Sequence, residues 1–207
     1  ILIGKINFKR VFNNGSFRSG GRFYSSYQSI KSKIRSTKIT CDFSPMCEFD
    51  YSGLHINMLY ALEGLDIYEG DVYTTEGFEQ YRDMFKIALQ IALNAKDRRA
   101  AYSGMNLHLR NNGITKDLIT GKGLLELFSK KHSNINHYFF SGIGVKLQYY
   151  DSQMVEFIIK KARNLKLPVL PVHDSFICRV VDSDKVLKLM NQASKRITGV
   201  QFKIEKK

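Results

Sequence analysis

The chain has 207 residues, enough for one domain of ordinary size, and 43% of them are hydrophobic, as a packed core requires. Its formal charge of +13, from 32 Lys and Arg against 19 Asp and Glu, favours a polyanionic partner. No apolar run reaches membrane-spanning length, and the three cysteines form neither a CxxC pair nor a His/Cys cluster, which argues against a membrane partner, a zinc site and a disulfide framework.

The opening Ile1-Leu2-Ile3-Gly4-Lys5 is too short and too quickly polar for a secretory signal, and without an initiator methionine it points to a fragment or a processed product. Residues 1–40 read as a polar, basic, glycine-rich surface segment. Within it, Phe17-Arg18-Ser19-Gly20-Gly21-Arg22-Phe23-Tyr24-Ser25-Ser26 mixes arginines, aromatics and hydroxyls, which suits phosphates and stacked bases as well as an ordinary surface loop. Lys31, Lys33, Arg35 and Lys38 read as one face of an extended, solvated segment. A short strand is expected over 39–43 and another over 48–51, with Ser52 capping a helix that runs to about Glu63. Asp50 then stands where a strand ends and a helix begins.

From Thr75 an apolar stripe of Phe78, Tyr81, Phe85, Leu89 and Ala92 predicts a helix, with Arg82 and Lys86 four apart on another face. That helix is expected to continue to about Leu109 with a break near Tyr102-Ser103-Gly104. A short helix over 118–131 and a long one over 145–165 follow. On the latter, Leu147, Met154, Ile158 and Ala162 face the core while Gln148 and Asp151 share the polar side. Two strands, 167–172 and 176–181, meet at His173-Asp174-Ser175, and Pro168 and Pro171 place the first at a sheet edge. A helix over 184–197 and a strand over 201–204 close the chain.

A strand-end Asp50 together with a hairpin-tip Asp174 is an arrangement that holds two Mg²⁺ ions for nucleotidyl transfer. Hard cations take oxygen ligands, and a metal pair roughly 3.5–4 Å apart stabilises both the attacking and the leaving oxygen of an in-line displacement. Arg82 and Lys86 could neutralise a triphosphate, and His173 could orient a primer end by hydrogen bonding. His55, His132 and His137 have metal-binding character only if they converge.

The order of these segments resembles the polymerase core of family A DNA polymerases and, more distantly, the single-subunit phage-type RNA polymerases, over about residues 15–205. Gly21-Arg22-Phe23-Tyr24-Ser25-Ser26, followed by Gln28-Ser29-Ile30 and Arg35, is similar to the first motif of that family. Asp50-Tyr51-Ser52-Gly53-Leu54-His55 resembles motif A, Arg82-xxx-Lys86 resembles motif B, and His173-Asp174-Ser175 resembles motif C. Gln148 to Met154 resembles the glutamine-bearing helix ahead of motif C. The resemblance implies that Asp50, Asp174 and the Tyr51 carbonyl hold the metals, that His173 joins Asp50 and Asp174 in the chemistry, and that Arg82, Lys86, Tyr51, His55 and Asn94 meet the nucleotide. It further implies that Arg22, Arg35 and Gln148 contact nucleic acid. The departures are His55 in place of a sugar-excluding glutamate, Asn94-Ala95 in place of Tyr-Gly at the end of motif B, and Ser175 in place of an acid in motif C.

The expected fold is α+β, a palm whose antiparallel sheet is backed by helices. Residues 1–45 form a basic entry segment, 46–65 the palm with motif A, 66–145 a reduced helical fingers region, and 146–207 the palm with the motif C hairpin. The expected partners are a primed DNA template, nucleoside triphosphates and a further segment or protein supplying the thumb. The expected location is cytoplasmic, with a nucleoid or mobile element. Two other readings stay open: a single-subunit RNA polymerase or primase-like enzyme, favoured by Ser175 and His55, and a degenerate palm that only binds nucleic acid.

Overall fold

Asn14 and Gly15 both adopt positive φ, 54° and 61°, the conformation a two-residue hairpin turn requires. They join β1 (Lys9–Asn13) to β2 (Ser16–Tyr24), so the glycine-rich segment read from sequence as surface loop is an antiparallel hairpin. The structure, a computed structural model, describes residues 6–41, 43–114 and 119–207. The hairpin register shifts near Phe12, opposite Gly20, and both Gly20 and Gly21 have positive φ. A bulge of this kind bends a strand and re-aims its side chains. A Cβ at Gly21 would lie 2.8 Å from the Phe12 ring and 3.0 Å from Ser152 Oγ, so glycine is what lets the hairpin close onto the helix behind it.

The expected extended run after residue 30 is instead a short helix, α1 (Ser32–Lys38). The following strands are β3 (Thr40–Cys41) and β4 (Ser44–Tyr51), and the expected strand end at Phe43 falls next to Asp42, which lies outside the described residues. Near the C-terminal end come β5 (Val169–Val172), β6 (Ser175–Arg179) and β7 (Ile204–Lys206). The strand order is β3-β4-β6-β5, all neighbours antiparallel, with β7 also pairing along the end of β4. β5 lies at the sheet edge, where the missing N–H of Pro171 costs nothing, and Pro168 falls just ahead of the strand. The closing strand starts three residues later than its apolar pattern suggested.

Helix α2 (Leu54–Leu62) follows β4 through Gly53, which takes φ 58° as the cap; Ser52 does not cap the helix but gives its N–H to the Lys203 carbonyl. The predicted helix break lies earlier than expected. α3 (Arg82–Asn94) stops at Ala95, and α4 (Arg98–Asn111) starts afresh with Asp97 accepting the Ala100 N–H at 2.8 Å. α5 (Gly121–Lys131) is capped by Thr120; the expected start near 118 lies outside the described residues. α6 (Gly144–Asn164) and α7 (Ser183–Thr198) match the expected long helices within two residues.

One hydrophobic cluster runs from β4 and α2 through α3 to α7. The rings of Phe85 on α3, Phe128 on α5 and Phe139 stack in sequence, with centroids 6.0 and 5.7 Å apart, tying the central helices together. Fully buried His132 links Tyr60 of α2, at 3.2 Å from its Nδ1, to the Val72 carbonyl, at 2.9 Å from its Nε2. Helices therefore cover the antiparallel sheet, which is the α+β architecture expected. No described helix is long and apolar enough to cross a membrane.

Candidate active site

The β4–β6 register sets Asp50 opposite Ser175, the residue directly after Asp174 in the β5–β6 turn. On the other flank of β4, Asp50 pairs with Glu205 of β7. The strand end and the hairpin tip thus arrive at the same level, although more than half of the chain lies between them. His173 turns the hairpin with φ 56°, a left-handed conformation that histidine adopts more readily than most residues. Its ring lies edge-on to Tyr24 at 5.8 Å, and its buried Nδ1 has no hydrogen-bond partner.

Asp50 and Asp174 line a cleft of about 710 Å³. Its opposite wall is α3. Arg82, Lys86, Gln90 and Asn94 follow one another at four-residue steps, so all line the cleft from one helical face. Gly144 and Gln148, one turn apart on α6, close the end. A Cβ at Gly144 would fall 2.3 Å from Asn94 Oδ1, so the glycine makes room for that side chain. Arg22 of β2 and His55 of α2 complete the wall. Arg82 is ion-paired to Asp71 and lies over the Tyr73 ring at 5.5 Å, while Lys86 holds Asp83 at 3.1 Å.

The electrostatics are those of carboxylates forced together. Burial, then the adjacent Asp174 charge, pushes the Asp50 carboxyl up to about 6, against the pull of Lys207. Lys207 Nζ lies 2.9 Å from Asp50 Oδ2 and 3.3 Å from Glu48 Oε1. Asp50 Oδ1 is buried with no partner. Burial and the Arg22 charge push His55 down to about 4, so its ring is neutral near pH 7. Beneath the site Glu48 is 1% exposed. Burial opposes its ionisation, but Ser175, Lys207 and Arg35 outweigh that and hold its carboxyl below the usual range. The Ser175 hydroxyl donates to Glu48 at 2.6 Å.

No family model matches the sequence, and no curated protein matches it. Among solved structures, the chain resembles the POL domain of Pol1 from M. smegmatis, solved in complex with DNA primer-template and dNTP. The TM-score is 0.62 at 11% identity, and the match covers 97% of this chain. It has a polymerase-like palm fold. The chain spans 46% of the length of that POL-domain chain.

Within this palm, most residues singled out from sequence come together. Asp50, His173, Asp174, Arg82, Lys86, His55, Asn94, Arg22 and Gln148 all line one cleft. Tyr51 reaches it too, but its ring is turned into the core and its hydroxyl donates to the Met190 carbonyl at 2.6 Å. Arg35 does not belong to this surface. It is 8% exposed, donates to the Ile30 carbonyl at 2.7 Å and pairs with Glu48 at 3.4 Å, so it braces the fold and meets no solvent-borne ligand. The histidines do not converge: His132 is fully buried and His137 pairs with Glu63 at 3.1 Å. Among the described residues no group of three or more His, Cys, Asp or Glu gathers for a metal. Sequence reasoning missed Glu48, Gln90 and Lys207, and took Asp151 for a polar helix face; Asp151 is 1% exposed and ion-paired to Arg22 at 2.8 Å. The four-residue spacing of Gln90 from Lys86 was a usable signal, whereas the others declare themselves only through long-range pairing.

Proposed function

We propose that the chain is a template-directed nucleotidyltransferase, a DNA polymerase of the family A type, which extends a primed DNA template with nucleoside triphosphates. The observation that carries this reading is the placement of Asp50 and Asp174 in one cleft with Arg82 and Lys86 on the facing helix. A cluster of acids alone would suit many functions. Acids opposite a cationic helical face suit a substrate that brings both a metal and a chain of phosphates.

The donor set fits Mg²⁺. Asp50 Oδ1 has no partner, its other oxygen already attracts a cationic group, and both carboxylates are hard oxygen ligands. Mg²⁺ keeps several waters and binds through one or two carboxylates plus substrate phosphates, so Asp50 and Asp174, helped by the Tyr51 carbonyl, are a sufficient protein share. Two bound ions would supply activation of the primer 3′-hydroxyl and charge stabilisation at the leaving pyrophosphate. The chain's own residues do the rest. Arg82 and Lys86 exchange Asp71 and Asp83 for phosphate oxygens and hold the triphosphate. His173 hydrogen-bonds the primer end, Arg22 and Gln148 contact the nucleic acid, and His55 and Asn94 meet the nucleotide. A thumb from a further segment or a partner would hold the duplex.

The test is primer extension with Mg²⁺ and dNTPs. Asp50→Ala and Asp174→Ala should each abolish incorporation while the circular dichroism spectrum is unchanged; extension retained by both overturns the reading. The contact of Lys207 with Asp50 favours a second reading, a palm that binds primed nucleic acid without turnover. It requires binding with a steep salt dependence and no Mg²⁺-dependent incorporation. Supplying rNTPs and dNTPs separately on one template decides between RNA and DNA product.

A further inference from the structure

The buried carboxylate of Asp151 sits in the middle of α6, behind the cleft wall. It is 1% exposed, and its Oδ2 accepts a 2.8 Å bond from Arg22 Nε. Burying a carboxylate is costly unless it is paired, so a lone aspartate on this face needs a reason. The hairpin that carries Arg22 is pinned to α6 beside it. Arg10 donates to the Gly21 carbonyl at 2.9 Å, to Glu156 at 2.9 Å and to Ser152 Oγ at 3.3 Å, and Gly21 packs over Ser152 with no room for a Cβ. Backbone and side chain are therefore fixed independently on either side of the Arg22–Asp151 contact.

A guanidinium has five N–H donors in a rigid plane. Engaging Nε leaves the terminal nitrogens for partners other than Asp151, and Arg22 lines the cleft. Nη2 stands 3.5 Å from His55 Nε2, so the arginine and the histidine form one edge of the cleft. Arginine carries large rotamer entropy, and holding it in one pose beforehand lowers the cost of binding.

We propose that Asp151 is a positioning residue: it holds the Arg22 plane toward the nucleic-acid substrate. This rests on the reading of the cleft as a primer–template site. Glu156, Asp174 and Asp50 are the other acids near these groups, but Glu156 is committed to Arg10 and Lys160, Asp174 lies at the hairpin tip, and Asp50 is paired with Lys207.

The experiment is a double-mutant cycle on the full chain with Asp151→Asn, Arg22→Ala and the pair combined. Anisotropy of a labelled primer–template, without nucleotide, gives affinity; steady-state extension gives kcat and the nucleotide KM. Each single variant should weaken primer–template affinity about 10-fold to 100-fold, as loss of an orienting partner commonly does, with nucleotide KM within about twofold. The combined variant should be no worse than Arg22→Ala, because Asp151 acts only through Arg22. Losses that multiply, or an Asp151→Asn protein with unchanged affinity, overturn the proposal. Asp151→Leu, which fills the buried helix position with an apolar side chain and leaves the partly exposed Arg22 to turn to solvent, repeats the affinity arm if Asp151→Asn fails to fold, with the same expected loss. Wild-type protein that binds primer–template but never extends it refutes the nucleotidyl-transfer reading, and the affinity cycle still decides the role of Asp151.

Discussion

Lys207 Nζ donates to Asp50 Oδ2 at 2.9 Å, placing an ammonium group against the carboxylate that would take a divalent cation. The β7–β4 pairing brings it there by setting Glu205 and Lys206 beside Asp50 and Phe49. Cation and ammonium compete for the charge of the same carboxylate. An ion pair of this partial exposure is worth about 0.5–1 kcal/mol. Lys207→Met should therefore lower the Mg²⁺ concentration for half-maximal activity by about twofold to fivefold. A Mg²⁺ titration of primer extension checks it, and an unchanged midpoint refutes the competition.

Asp50 should be a residue that costs stability. Its carboxyl is raised to about 6 by burial and by Asp174, so the folded state holds a proton that the unfolded state releases near pH 4. Stability is lost as pH rises from about 4 to 6, and near pH 7 the full cost, up to about 3 kcal/mol, is present. Asp50→Asn removes the repulsion and forgoes the Lys207 pair. We expect it to gain about 1–2 kcal/mol and several degrees in Tm at pH 7, with no gain at pH 4, while incorporation is lost. Thermal melts at the two pH values give the answer.

His132 should act in the opposite sense. Burial pushes it down to about 4, and its Nε2–H donates to Val72 while Nδ1 accepts from Tyr60. The depressed value means the unfolded chain binds the extra proton first. The contribution is complete above pH 6.5 and fades as pH falls toward 4, by about 3 kcal/mol in all. In His132→Phe this acid-side loss should be smaller than in wild type, measured by urea unfolding between pH 4.5 and 7.

Gly53→Ala should disturb both stability and site. Gly53 has φ 58°, and an added Cβ would lie 2.8 Å from Val72 Cγ2. Left-handed strain alone costs about 1–3 kcal/mol. Because Gly53 joins β4 to α2, between Asp50 and His55, extension should fall by more than the loss of folded protein explains. Activity normalised to the folded fraction tests this.

The palm was legible where local patterns carry it. Asp50 ahead of an apolar helix, the two runs flanking His173-Asp174, and the stripe of α6 each show within a window of about ten residues. The β1–β2 hairpin did not, because Gly20 and Gly21 interrupt the alternation that a strand normally displays. The break between α3 and α4 was misplaced because Ser103-Gly104 looks weak locally, whereas the chain actually restarts on the Asp97 cap. Arg35 was read as surface because its acceptors, Gln28, Ile30 and Glu48, are gathered only by folding. Asp151 looked like a solvated helix position for the same reason: its partner lies on a hairpin far back in the sequence.

The pairing of Asp50 with Ser175 has a consequence for how the protein is made. Such distant contacts close late and slowly, since the intervening loop entropy must be overcome first. A nascent chain on the ribosome holds Asp50 without its counterpart until the α3–α6 helices and then β6 have been synthesised. The cleft would consequently assemble in one step, once β6 has been made, and a product truncated ahead of β6 would hold Asp50 without the hairpin that faces it.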